Sequence, residues 1–301
     1  MRVIDFHSHF FSHPFFATLA ELSPLPGTAS AKLSELAQKV GIELPSEDAG
    51  RHLERWLAEL ERHGVEHLVS FASLPQEIPA VAEAAGRSAG RIHPMAMVDP
   101  CQEGTADKVA DLLDRQGFAG VLVFPALHHF HLADAGELLA VLNARGAILY
   151  VHCGILKIPL RDLLGLPRLY DLRYASPLEL VPAANAYPDV KLVIPHFGAG
   201  FLRETLMVGT QCSNVYVDTS SSNSWMRTDP GGLTLDQVLA RVCDVYGCER
   251  VLFGTDSGTF PRGWRRDLFD EQRAACDKIG ISAAEQEQIF GGNARRLLGL
   301  Q

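Results

Sequence analysis

Val3-Ile4-Asp5-Phe6-His7-Ser8-His9, at the head of a 301-residue chain, reads as a short strand. Strand side chains alternate between faces, which puts Asp5, His7 and His9 on one side. A carboxylate and two imidazoles on one side of an apolar strand cost free energy to desolvate unless something binds them. Taken alone, the stretch also fits two half-exposed histidines near a terminus. What decides the fold is that its form, an apolar run closing on polar residues, recurs along the chain.

Apolar runs suited to buried parallel strands follow at residues 66–72, 92–98, 120–124, 147–152, 190–196, 214–218 and 250–255, making eight with the first. Amphipathic helical stretches lie between most of them, at 80–89, 106–115, 135–145, 235–246 and 283–290. Eightfold strand–helix alternation predicts an α/β fold, a (β/α)8 TIM barrel, although a doubly wound sheet also alternates.

Two connections are long. Residues 10–64 open with Phe10, Phe11, Phe15 and Phe16 and carry helical patterns over 30–40 and 47–63. In the second pattern Leu53, Trp56, Leu57 and Leu60 make a core-facing stripe. Residues 154–189 carry Arg161, Arg168, Tyr170, Arg173 and Tyr174. There Ser176 should cap a helix, with Pro177 at its first position and Glu179 completing a capping box, and Pro182 should kink or end it early. Connections of this length often form caps. The expectation is one domain over residues 1–301, with insertions after strands one and five and 10–64 as a cap. At the other end, Gly291 and Gly292 should stop one helix and Asn293 should cap a last one.

The net charge of −9 argues against a nucleic-acid surface, which needs clustered Lys and Arg. Six cysteines without a CxxC pair read as reduced, buried thiols. No signal-peptide pattern is evident, and no apolar run approaches the ~20 residues of a membrane span. The expected setting is cytoplasmic, with a small-molecule substrate, no nucleic-acid or membrane partner, and the long connections as a surface for a homodimer.

Polar residues collect where the strands end. Strand five closes on Tyr150-Val151-His152, strand six on Ile194-Pro195-His196-Phe197-Gly198 and strand eight on Phe253-Gly254-Thr255-Asp256-Ser257. In a barrel the βα-loops converge at that rim, so His7, His9, His152, His196 and Asp256 would meet around one point. Imidazoles with one carboxylate suit a borderline transition metal: zinc (Zn) first, with Mn, Fe, Co or Ni also fitting.

These motifs, with the closing Gly292-Asn293-Ala294-Arg295, resemble the amidohydrolase superfamily over essentially the whole chain, in the metal-dependent TIM-barrel branch that includes aminocarboxymuconate-semialdehyde decarboxylase. The resemblance implies metal ligation by His7, His9 and His152. It makes Asp256 a ligand, a general base or both, and His196 a ligand or a group polarising the substrate carbonyl. Many dinuclear members carry a modified lysine on strand four. Here that strand reads Gly120-Val121-Leu122-Val123-Phe124-Pro125, so one metal ion is expected. The decarboxylases share an arginine shortly before the second strand. Arg51 and Arg55 lie nearby in this chain, but Trp56 stands at the matching place.

The leading expectation is therefore a metal-dependent hydrolase of an amide, ester or lactone bond, with Asp256 and His196 catalytic. Non-oxidative decarboxylation of an aromatic or unsaturated acid is the second reading, and a non-catalytic metal- or ligand-binding barrel the third. Arg262, in a loop with Arg265 and Arg266, suits an anionic substrate group. His128, beside His129 and His131, would reach the pocket or lie in a solvated loop. The serines at 220–222 and 224 would line the pocket or form a turn. Cys153 should point away from the metal. Asp5, deeper on the face of His7 and His9, is expected as a group that supports the metal ligands from behind or fills the barrel interior, not as a ligand.

Overall fold

The computed structural model describes residues 2–221 and 223–301. Its strands are β1 (Val3–His9), β2 (Val65–Ala72), β3 (Ile92–Met97), β4 (Gly120–Val123), β5 (Ile148–Val151), β6 (Lys191–Ile194), β7 (Val215–Asp218) and β8 (Val251–Leu252). All neighbours pair in parallel, in the order β1 to β8. The ends join through Phe6 N–H to Phe253 O (2.8 Å), Asp256 N–H to His7 O (2.9 Å) and His9 N–H to Ser257 O (2.8 Å). The chain is a (β/α)8 TIM barrel.

Both faces of each strand are covered, which is why the strands read as continuous apolar runs. Ile4, Phe6, Val69, Phe71, Met95, Leu122, Ile148, Tyr150, Val193 and Leu252 fill the barrel. Residues on the other strand faces, such as Leu68, Val121, Leu149 and Val217, pack under the surrounding helices. No helix of the described residues is long and apolar enough to cross a membrane.

The C-terminal segment departs from expectation. The two glycines do not end a helix: Ala283–Glu287 runs through a wide turn over Gln288–Gly292 into Asn293–Leu297. Gly291 is there for contact, since a Cβ would lie 2.0 Å from Arg2 O. Asn293 is no cap either, because its Nδ2 donates to Cys248 O (2.7 Å) and Val251 O (2.8 Å) and ties this segment under β8. In the β5 connection Ser176 Oγ accepts from Leu178 N–H, but Glu179 turns to His131 (3.3 Å) and no capping box closes. Pro182 neither kinks nor ends its helix, Leu180–Ala186, because it sits in the first turn where no N–H donor is needed.

The long connection after β1 forms α1 (His13–Leu22), α2 (Ala29–Val40) and α3 (Ala49–His63). The last belongs to the barrel wall, with Leu53, Trp56 and Leu60 in the outer core. The first two pack with the β5 connection, where Phe15, Phe16, Leu19, Leu33 and Leu36 meet Leu164 and Leu166 in a separate apolar cluster.

Strand β1 holds the departure that matters most for the site. Asp5 pairs with Leu68 and Ser8 with Ser70, so β1 advances three residues while β2 advances two. That extra residue is a β-bulge. Before it Ile4 and Phe6 face the interior; after it the His7 ring packs on Phe71 (4.9 Å) and Tyr150 (5.5 Å) and the His9 ring on Phe71 (5.5 Å). Asp5 therefore does not share a face with His7 and His9 and is not in the interior. It points behind the sheet, where Trp264 Nε1–H donates to it at 2.8 Å.

Candidate metal centre at the barrel mouth

At the C-terminal rim His7, His9 and Asp256 converge, each with a ligand atom within 4.8 Å of the others. His9 Nε2 lies 3.2 Å and His7 Nε2 3.8 Å from Asp256 Oδ1. The second nitrogen of each ring is held from behind. His7 Nδ1 donates to Asp218 Oδ2 at 2.7 Å, since a carboxylate only accepts, so in the neutral ring Nε2 carries the lone pair. His9 Nδ1 bonds Ser73 Oγ at 2.7 Å. The donor set, two Nε2 atoms with a carboxylate oxygen and outer partners on the far nitrogens, fits a divalent transition metal.

The other rim residues lie next to this group. Asp218 and His196 form a second grouping with His7. The His196 ring lies 4.8 Å from that of His7; the backbone N–H of His196 donates to Asp218 Oδ1 (2.9 Å), and its ring Nδ1 bonds Ser220 Oγ (2.8 Å). His152 stands one step further out, its ring 5.3 Å from His196 and 5.0 Å from Phe124, outside both groupings. Its buried Nδ1 has no hydrogen-bond partner among the described residues. Cys153 packs into the outer core and donates to Val151 O.

The chain belongs to the amidohydrolase family. That family's model matches residues 4–300. No curated protein matches the sequence. Solved structures do match in fold. The 5-carboxyvanillate decarboxylase LigW of Sphingomonas paucimobilis superposes with a TM-score of 0.66 at 14% identity, covering 100% of this chain and 99% of that one. A putative 2-pyrone-4,6-dicarboxylic acid hydrolase of Pseudomonas putida gives 0.59 at 21% identity, with 99% and 97% covered. A zinc-bound amidohydrolase of Burkholderia multivorans gives 0.64 at 18% identity, with both chains fully covered at 100%. Decarboxylases and hydrolases thus share this barrel.

Electrostatics in the amidohydrolase mouth follow from burial and neighbours. Burial would raise the Asp256 carboxyl, but the His9 hydrogen bond and the imidazoles of His9, His7 and His196 outweigh it and hold it well below the usual range. Burial would lower His7, and the ion pair with Asp218 outweighs it, so His7 is raised. Burial lowers His196 and His152, and the neighbouring imidazoles push the same way, which keeps both neutral. Neutral imidazole is the ligating form.

The rim is also strained. Eight of the nine described non-glycine residues with positive φ lie on loops after strand ends: Phe11, His129, His196, Phe197, Ala199, Ser221, Asn223 and Asp256. Only Ala89 lies elsewhere. Left-handed backbone at such residues costs about 1–2 kcal/mol each, and its concentration here marks a site fixed by its surroundings.

Among the secondary candidates, Arg265 forks onto Asp267 (2.7 and 2.6 Å) and Arg266 onto Asp270. Arg262 has no ion-pair partner among the described residues, while the charge of Asp256 reaches it. His129 is stacked on Tyr174 and His131 paired with Glu179, whereas His128 has a buried, unpartnered Nδ1. Arg55 pairs with Glu43 and stacks on Phe260, and Trp56 is fully buried, so neither faces the mouth. Ser220 is buried between Asp218, His7 and His196; Ser222 lies outside the described residues.

Asp218 and Glu77 were missed by sequence reading. Asp218 closes its strand as the other rim residues do, a signal that was there to use. Glu77 carried none. It lies after β2, fully buried, and accepts from Ser12 N–H (2.6 Å), Ser12 Oγ (3.0 Å) and Ser73 N–H (2.7 Å). Burial lifts its carboxyl to about 7. It links the start of α1 to the serine behind His9.

Proposed function

We propose that this amidohydrolase-family chain is a metal-dependent hydrolase that cleaves an amide, ester or lactone bond in a small anionic molecule. The single observation that carries this reading is the ionised, partly exposed Asp256 carboxylate against the Nε2 atoms of His7 and His9. His7, His9 and Asp256 would hold one divalent ion, with zinc as first choice and His152 at its edge. No lysine or acid on β4 offers a bridge to a second ion. Such an ion, when bound, supplies Lewis acidity and lowers the pKa of water from 15.7 towards about 7.

The chain's own residues do the rest. Asp256 accepts the proton of the attacking water and returns it to the leaving group. Neutral His196, in the tautomer whose Nδ1 accepts from Ser220 Oγ, would donate Nε2–H to the developing oxyanion. Arg262, on the loop that follows Asp256, takes a carboxylate of the substrate, and His128, in the short helix after β4, is a second candidate for that contact. Asp256→Asn should lose turnover even at saturating metal; unchanged turnover on a cleaved ester or lactone would remove this reading.

Decarboxylation of an aromatic acid is the second reading, favoured by the Phe11 ring stacked parallel on His9 at 4.7 Å with Phe15 behind it, a wall suited to a planar ring. Product analysis in 18O-labelled water separates the two: label in the organic product marks hydrolysis, and CO2 release with no label in the organic product marks decarboxylation. A barrel that takes up no metal would leave neither.

A further inference from the structure

The β1 bulge removes Phe6 and His7 from pairing, and neither has a register partner on β2. A peptide lifted out of a ladder in a fully buried strand must find other partners for its N–H and C=O, or each unsatisfied group costs about 1–3 kcal/mol. Three side chains supply them. Tyr150, reaching across the barrel from β5, donates its hydroxyl to Phe6 O at 2.7 Å. Asp5 Oδ1 accepts from His7 N–H at 3.1 Å. On the partner strand Ser8 Oγ donates to Val69 O at 2.8 Å. Asp5 is itself fixed from behind by Thr255 N–H (3.1 Å), Thr255 Oγ1 and Trp264 Nε1–H (2.8 Å).

We infer that Tyr150 and Asp5 are positioning residues of the metal centre, holding the Phe6–His7 peptide out of the sheet so that His7 and His9 both turn into the mouth. Regular alternation would leave the interior to Ile4, Phe6 and Ser8 and send His7 and His9 to the outer face. One extra residue reverses that assignment, and these two side chains clamp the reversed peptide from opposite sides. Tyr150 is fully buried, and its hydroxyl lies close to the Asp218 carboxylate that holds His7. Its ring stands edge-on to Phe71 at 5.0 Å and to His7 at 5.5 Å, so packing orients the hydroxyl.

The inference rests on the metal-site reading, and the experiment separates the two. Metal-free wild type, Tyr150→Phe, Asp5→Asn and, as an interior control away from the bulge, Met95→Leu are titrated with Co(II) against a competing chelator. The visible cobalt absorption reports ligand geometry, and circular dichroism shows that each variant is folded. Tyr150→Phe and Asp5→Asn should each weaken Co(II) binding by about tenfold or more and alter the absorption bands, as loss of an outer partner does. Met95→Leu should bind as wild type. Wild-type affinity and bands in both Tyr150→Phe and Asp5→Asn would overturn the inference while leaving the metal site standing, as would equal weakening by Met95→Leu. A wild type that takes no cobalt would remove the site and the inference together.

Discussion

The two ends of this barrel are closed by opposite means. At the floor the seal is apolar and close: Gly291 lies against Arg2, Ala294 and Leu297 cap the interior cluster, and the buried Asn293 amide spends its donors on two carbonyls. At the mouth the layer above Phe71 and Tyr150 is imidazole and carboxylate, on left-handed backbone, with the bulge in β1 below it. The floor is closely packed at Gly291, and its buried Asn293 amide is paired. The mouth departs from several rules of backbone geometry and polar pairing together, and departures held in place by their surroundings are where function is built.

That contrast can be broken by substitution at each end. The largest effect belongs to Asp256→Asn, which should cost about 10²–10⁴-fold in turnover, measured on the cleaved substrate, with little change in thermal midpoint. Next is a pH effect at Glu77. Its carboxyl rises from 4.5 to about 7 on folding, so the folded state holds a proton that the unfolded state has lost between those values. Wild-type stability should therefore fall as pH rises from 4.5 through about 7, by up to about 3 kcal/mol. In Glu77→Gln the fall in stability between pH 5 and pH 8 should shrink in denaturant titrations, leaving the part due to Asp5, whose carboxyl burial raises to about 6; an unchanged fall would show that Glu77 folds with an ordinary pKa.

At the floor, Gly291→Ala must push back the Arg2 carbonyl. It should lose about 2 kcal/mol by chemical denaturation while metal affinity is unchanged. A loss of metal there would erase the division between the two ends. The smallest effect is Arg262→Ala, for which we expect KM for an anionic substrate to rise about tenfold with kcat nearly kept, the pattern of lost ground-state binding.

The barrel was legible because parallel strands buried on both faces leave unbroken apolar runs, and because His7, His9, His152, His196 and Asp256 all close such runs. Alternation misread Asp5, since it holds only for a regular strand and an inserted residue leaves no mark in residue type. The Gly291-Gly292-Asn293 stop was misread for a similar reason. Glycine and asparagine do end helices, but here one makes room for Arg2 O and the other reaches across to β8, demands set by distant chain. Asp218 stood at a strand end and its partner on β1 did not show. Glu77 sits in a short turn with no periodicity to single it out.

The central claim is that His7, His9 and Asp256 hold one divalent ion at the mouth. Elemental analysis of purified wild type beside His9→Ala tests it most directly. One equivalent of a transition metal, zinc first, is expected in wild type, and its loss in the folded variant. Metal retained in full by His9→Ala, or a wild type that neither carries nor takes up any, would contradict it.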